Sequence, residues 1–243
     1  MKILKFFMAV SMLFAVIAAC KKSAVPSLNV SVDDAASMLT GSLASSSYGL
    51  NNISDDISVN AQVFINLPCG STKTDTLTRQ SQAGLPAAYY YKLIYTHKLT
   101  CNANNLPDNI SSNLTYTGNF NNSTLSLANS GTTSFVIAGL TPTAIVYSIN
   151  GEYKSMGSFK LKSDTTNTGS ANVDIVVKNV TINKATQVIA SGTATVIITG
   201  TTLKKGDFTY NGTLTFNGNF MATLVLNDTT YSINLTTGVI VKK

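Results

Sequence analysis

From residue 113 to the C-terminus the chain alternates apolar and polar positions in short runs, each closed by Asn, Gly, Asp or Ser. Phe208, Tyr210, Leu214 and Phe216 share one side of such a run, and Thr209, Asn211, Thr213 and Thr215 the other. Period-two alternation with regularly spaced turn residues predicts antiparallel strands with one greasy and one wetted face. The runs fall at 113–120, 124–127, 134–139, 145–153, 157–162, 172–179, 188–199, 207–216, 219–226, 230–235 and 239–242. Turns are expected at Asn121-Asn122, Asn129-Ser130-Gly131, Asn167-Thr168-Gly169, Asn217-Gly218 and Asn227-Asp228. No segment here has the length and 3.6-residue period of a crossover helix, so parallel units are not expected.

The first half is less regular. Ser31 has the chemistry of a helix N-cap, and Asp33 and Asp34 follow where the helix dipole favours negative charge. Val32, Ala35, Ala36, Leu39 and Leu43 then fall on one helical face, which predicts a short helix over 32–44, with Gly41 against it. The stretch 53–67 carries two patterns. Ile57, Val59, Ala61, Val63, Ile65 and Leu67 alternate like a strand, whereas Ile53, Ile57, Ala61 and Phe64 share a helical face behind Ser54, Asp55 and Asp56. The alternation is the longer pattern and favours a strand. Residues 71–88 are polar, with Gly84 and Pro86, and are expected as a loop; 89–100 is a strand and 101–110 a turn region. Within Tyr89-Tyr90-Tyr91, alternation sets Tyr90 on the face opposite the other two.

The pattern predicts an all-β domain: an antiparallel meander, sandwich or curved open sheet, with a short N-terminal helix. A weak repeat, apolar-x-Gly-x-apolar, points to curvature. It occurs around Gly118, Gly151, Gly212 and Gly218. In a strand the Gly shares a face with its two large neighbours, leaving a gap that a cross-strand aromatic can cover. The last instance is also an Asn-Gly hairpin signal, and the two readings exclude each other.

Composition sharpens this. Charged residues are 12% of the chain, so Thr, Ser and Asn must carry solubility, and an apolar share of 44% is enough for a core. The formal charge is +6, spread over scattered lysines. Nucleic-acid binding needs a clustered basic face with aromatics and is not expected.

Candidate chemistry is sparse. Glu152 is the only Glu, Arg79 the only Arg, His97 the only His, and Trp is absent. His97 lies beside Lys98 in an alternating strand and is expected on the strand surface. Asp33–Asp34 and Asp55–Asp56 have the places of capping residues. No nucleophile elbow, zinc-protease motif or phosphate loop occurs, so no catalytic or metal-binding residue and no cofactor is assigned.

The first twenty residues carry the most specific signal. Lys2 and Lys5 give a basic start, residues 6–17 are apolar or small apart from Ser11, and Ile17-Ala18-Ala19-Cys20 closes the segment. That is the three-part plan of a secretory signal peptide. The apolar run is shorter than the ~20 residues that span a bilayer. Its ending resembles the lipobox of bacterial lipoproteins. The resemblance implies that Ile17, Ala18 and Ala19 are recognised by the signal peptidase, that residues 1–19 are removed, and that Cys20 becomes a lipidated N-terminus. It further implies a membrane-surface protein of the cell envelope, on a short tether to about residue 30. Lys21 stands where an Asp would signal inner-membrane retention, which favours an outer-membrane anchor facing the periplasm.

The mature chain of about 224 residues suits one β domain. Export leaves Cys69 and Cys101 in an oxidising compartment, where a disulfide between them is expected. A metal site is the alternative and lacks ligands. Thr/Asn-rich strands behind a Cys anchor also resemble uncharacterised envelope lipoproteins of Bacteroidetes-type bacteria. The expected function is non-catalytic, a structural or protein-binding role in the envelope. The alternative is a carrier of a hydrophobic ligand on a curved antiparallel sheet.

Overall fold

The structure, a computed structural model, describes residues 30–162, 168–204 and 206–243. Ile17, Ala18, Ala19, Cys20 and all of the expected tether except Val30 lie outside the described residues. Val30 itself is buried, and its carbonyl accepts a hydrogen bond from the Tyr210 hydroxyl.

Helix α1 spans Val32–Leu43, as its pattern predicts. The Asp34 N–H donates to Ser31 Oγ at 3.1 Å and the Ser31 N–H donates to Asp34 Oδ2 at 3.3 Å, a reciprocal cap. Gly41 lies on its buried face, where a Cβ would stand 2.9 Å from Leu127 Cδ1. The glycine that counts against the helix lets it lie close on the sheet.

A single 3-10 turn, Ser45–Ser47, leads to helix α2, Leu50–Phe64. This corrects the strand expected over 53–67. Leu50, Ile53, Ser54, Ile57, Ser58, Ala61 and Phe64 are buried on one helical face, while Val59 and Val63 are 43% and 53% exposed. The alternation is real in the sequence, but two of its six members, Val59 and Val63, face water. The face at helical spacing prevails once there is a sheet to bury it.

Eleven strands follow: β1 Thr72–Gln80, β2 Ala88–Cys101, β3 Pro107–Asn121, β4 Leu125–Ala138, β5 Val146–Leu161, β6 Thr168–Asn183, β7 Ile189–Thr202, β8 Gly206–Gly218, β9 Met221–Leu226, β10 Thr229–Asn234 and β11 Ile240–Lys242. They form one antiparallel sheet in sequence order, so the meander is the alternative realised. Two expectations are corrected. Residues 72–80, expected as loop, are the edge strand β1, whose inner face carries Leu77 among the charged Lys73, Asp75 and Arg79. Asn129-Ser130-Gly131 is no turn, since β4 runs straight through it. The Asn217-Gly218 segment resolves as a hairpin. The chain reverses over Asn219 and Phe220, both at positive φ (50° and 59°).

The sheet must curl strongly. Eleven strands laid flat would be about 48 Å wide, at ~4.8 Å each. Yet α1, about 18 Å long at ~1.5 Å per residue, meets β3, β4 and β10 through Gly41 and Asp33. Helix α2 meets β1 and β2 through Asp56, and Gln62 reaches the carbonyl of Lys184 in the β6–β7 loop. Two helices can touch so many strands only if the sheet wraps round them.

The register shows what lets it wrap. Large aromatics stand directly opposite glycines at six cross-strand pairs: Tyr91–Gly118, Tyr116–Gly131, Phe135–Gly151, Phe159–Gly169, Phe216–Gly192 and Phe208–Gly200. A Cβ on Gly118 would meet the Tyr91 ring at 2.2 Å, and one on Gly131 the Tyr116 ring at 2.5 Å. The rings lie over bare backbone, so neighbouring strands can coil without crowding their inner side chains. Bulges at Asn179 and at the β8–β9 turn add local twist.

Candidate functional site

Two groups of polar side chains lie on the inner wall, where α1 and α2 cover it. In the first, Asp56 of α2 gathers three donors. Tyr48 donates its hydroxyl to Asp56 Oδ2, Tyr95 does the same at 3.0 Å, and Arg79 Nη2 donates to Oδ1 at 3.0 Å. Arg79 Nε also donates to the Tyr48 hydroxyl at 2.7 Å, and its guanidinium lies over that ring. Burial and the Asp56 charge push the Tyr48 and Tyr95 hydroxyls upward, so they stay protonated donors. Bonding to Tyr48 and Asp56 holds Arg79 firmly charged.

The second group lies under α1. Tyr91 donates to Asn129 Oδ1 at 3.1 Å, and Asn129 Nδ2 to Ser155 Oγ at 2.9 Å. The Tyr116 and Tyr153 hydroxyls are 2.7 Å apart. Burial raises all three tyrosines. A void of about 20 Å³ lies beside this group, lined by Met38, Ser42, Asn129 and Ser155 among others.

The described residues also form an open cleft of about 360 Å³ where α1, the 3-10 turn, the β3–β4 turn and the β10–β11 loop converge. Thr40, Ser46, Ser47, Asn122, Phe120 and Thr237 are among its walls, and no charged side chain lines it. Thr40 donates to the Ser37 carbonyl at 2.7 Å, Ser46 to Thr237 at 2.9 Å and Ser47 to Ala44 at 2.9 Å. These hydroxyls have used their protons within the fold, so toward the cleft they can only accept.

The expected disulfide is formed. Cys69 and Cys101 are bonded with Cα atoms 5.6 Å apart, fastening the α2–β1 loop to the end of β2. His97 corrects another expectation. It is 1% exposed on the inner wall, stacked on Tyr95 and edge-on to Phe64, with Nε2 unpartnered. Its parity is that of Tyr91, Leu93, Tyr95 and Leu99, all buried. Burial lowers its basicity, opposed by Asp75 and Asp56 and aided by Lys73. Asp34 is a cap, as expected. Asp33 instead accepts from Tyr231 and Lys242, which hold its carboxyl below the usual range. Tyr91 is buried and Tyr90 faces outward, as alternation requires.

Asp56 and Arg79 were missed as a pair. The signal available was a lone Arg in a chain of low charge, since a planar, permanently charged fork is suited to a partly buried ion pair. None of these groups joins a nucleophile to a base. They give and take hydrogen bonds, and their neighbours are structural. Among the described residues no cluster of three or more His, Cys, Asp or Glu is placed to hold a metal ion, and no helix is long and apolar enough to cross a membrane. Compared with known proteins, the chain matches no family model, no curated protein and no solved structure.

Proposed function

We propose that this chain is a lipid-anchored, non-catalytic protein of the bacterial envelope, tethered through Cys20 and acting as a structural or protein-binding domain. The observation that favours this over a hydrophobic-ligand carrier is the filling of the inner wall by α1 and α2. A carrier site for a molecule of drug or lipid size needs about 300–1,000 Å³. The void beneath α1 is about 20 Å³, and the cleft of about 360 Å³, though large enough, is open and walled by seven Ser and Thr residues. The concavity that would hold a ligand holds Leu39, Leu43, Ile53, Ile57 and Phe64 instead. The uncharged, acceptor-rich cleft beside the 3-10 turn is the surface offered to a partner, and it suits backbone N–H groups of another protein.

Metabolic labelling with an alkyne fatty acid tests the anchor: the label is expected on the wild type and absent from Cys20→Ala. Native mass spectrometry of the detergent-extracted protein tests the rest. The mass of the acylated chain alone supports the reading. Further mass that leaves on denaturation would overturn it in favour of a carrier.

A further inference from the structure

We infer that the β7–β8 end of the domain rests on the membrane, with Leu203 entering the lipid surface. This rests on the Cys20 anchor proposed above, and it follows from where the tether meets the fold. The Val30 carbonyl is fixed to Tyr210 of β8. Ten residue steps separate Cys20 from Val30, which extend to at most about 35 Å. The membrane surface therefore lies within that radius of Tyr210.

Of the loops that expose a large apolar side chain, the two barest lie at opposite ends of the strands. Leu203, between β7 and β8, is 85% exposed; Ile145, between β4 and β5, is 77% exposed. The ladder pairs Tyr210 with Ile198, Ile198 with Val173, and Val173 with Ser155, so these four share one level of the sheet. From Ile198 to Leu203 is five residues, about 17 Å along the strand at ~3.3 Å each. From Ser155 to Ile145 is ten residues in the other direction, about 33 Å. A tether serving the Ile145 end would have to be almost fully stretched along the whole domain. One serving the Leu203 end has slack.

The chemistry at the near end suits an interface. The Leu203 N–H donates to the Thr168 carbonyl at 3.1 Å, which fixes the loop against β6 and leaves the side chain outward. Lys204 follows it, exposed. An apolar tip beside an amphipathic lysine can enter the acyl boundary while the ammonium group stays among headgroups.

The test uses the full acylated chain in vesicles of phosphatidylethanolamine and phosphatidylglycerol, 3:1. With Cys20 acylated and Cys69–Cys101 oxidised, Leu203→Cys or Ile145→Cys supplies the one free thiol for an environment-sensitive dye. The dye at 203 is expected to shift to the blue and brighten severalfold in vesicles relative to detergent-free soluble domain, while at 145 it stays water-like. Protein that floats with the vesicles but shows a water-like dye at 203 would overturn the orientation and leave the anchor standing. Protein that does not float would overturn both. A circular-dichroism melt unchanged from wild type checks that each variant is folded.

Discussion

Arg79 Nη2 stands 3.0 Å from Asp56 Oδ1, fastening the edge strand β1 to helix α2. β1 is the longer of the two edge strands, and one side of its backbone has no strand neighbour. Lys73, Asp75 and Arg79 all point to its inner face, the first two paired at 2.9 Å. Inward charges on an edge strand disfavour the addition of a further strand, which would have to cover them. The single Arg of the chain thus both closes the helix layer and guards the sheet edge.

Removing the carboxylate should cost more than removing the cation. Asp56→Ala leaves the buried Tyr95 hydroxyl and the Tyr48 hydroxyl without their acceptor, and Arg79 without its partner. Stranded buried donors cost about 1–3 kcal/mol each, so a total loss of about 2–4 kcal/mol is expected. Arg79→Lys keeps the charge but cannot reach Tyr48 and Asp56 as a fork, and should cost about 1 kcal/mol. Urea unfolding of the two variants checks the order. Equal losses would show that the ion pair, and not the tyrosine donors, is what Asp56 provides.

The disulfide closes a loop with a sequence separation of 32. Loop entropy alone gives a stabilisation of roughly 3–4 kcal/mol. Cys69 is exposed, so dithiothreitol reaches the bond without unfolding the domain. Reduction, or Cys69→Ser with Cys101→Ser, should lower the thermal midpoint by about 6–16 °C at ~2–4 °C per kcal/mol. A free-thiol assay on the oxidised acylated protein should find none, and two reactive thiols would refute the pairing.

His97 should make the fold acid-sensitive. Its folded pKa lies below the ordinary imidazole value because burial disfavours the cation, with Asp75 and Asp56 opposing and Lys73 assisting. Below about pH 6.5 the unfolded chain takes up a proton that the folded chain refuses. Stability is therefore full above that pH and falls as the pH drops toward the lowered folded value. From pH 7.5 to 5.5 the loss from this one group is at most about 1.4 kcal/mol. Chemical denaturation at both pH values, with His97→Leu for comparison, should show the slope in the wild type and a flatter one in the variant. Equal slopes would move the acid sensitivity to other groups.

The strands were legible because one-sided burial leaves a period-two record, clean at Phe208–Phe216 and faint wherever a strand lacks a second neighbour. β1 was hidden because three of the four inner positions of Thr72–Gln80 are charged, Lys73, Asp75 and Arg79, which leaves Leu77 as its one apolar inner residue. α2 was hidden because 53–67 carries both periods and only the sheet above it decides which set is covered. His97 is buried because it has the parity of Tyr95 and Leu99, which its ring chemistry does not record. The Asp56–Arg79 pair joins residues 23 apart through a fold-level contact, which no local spacing records. The glycine repeat, in contrast, was visible in the sequence: Gly212 stands opposite Val196 and Leu226 and Gly218 belongs to the β8–β9 hairpin, but Gly118 and Gly151 lie under Tyr91 and Phe135 in the role that curvature predicts.

That role can be measured at Gly118. A Cβ there would stand 2.2 Å from the Tyr90 carbonyl oxygen and 2.2 Å from Tyr91 Cδ1. The ring can swing aside only by leaving Tyr116, on which it packs edge-on with centroids 5.9 Å apart, and by breaking its bond to Asn129. The carbonyl cannot move without shifting the ladder. Gly118→Ala should therefore cost about 2–3 kcal/mol, the upper part of the range for overpacking a closed core. In a Tyr91→Ala background the ring clash is gone and only the carbonyl clash remains, so the same change should cost less. A double-mutant cycle on thermal or urea unfolding reads this directly. A coupling above about 0.5 kcal/mol is expected for residues in contact, with the sign that each change softens the other. Strict additivity would mean that the backbone alone excludes a side chain at Gly118, and that the tyrosine over it is a neighbour and not the reason for the glycine.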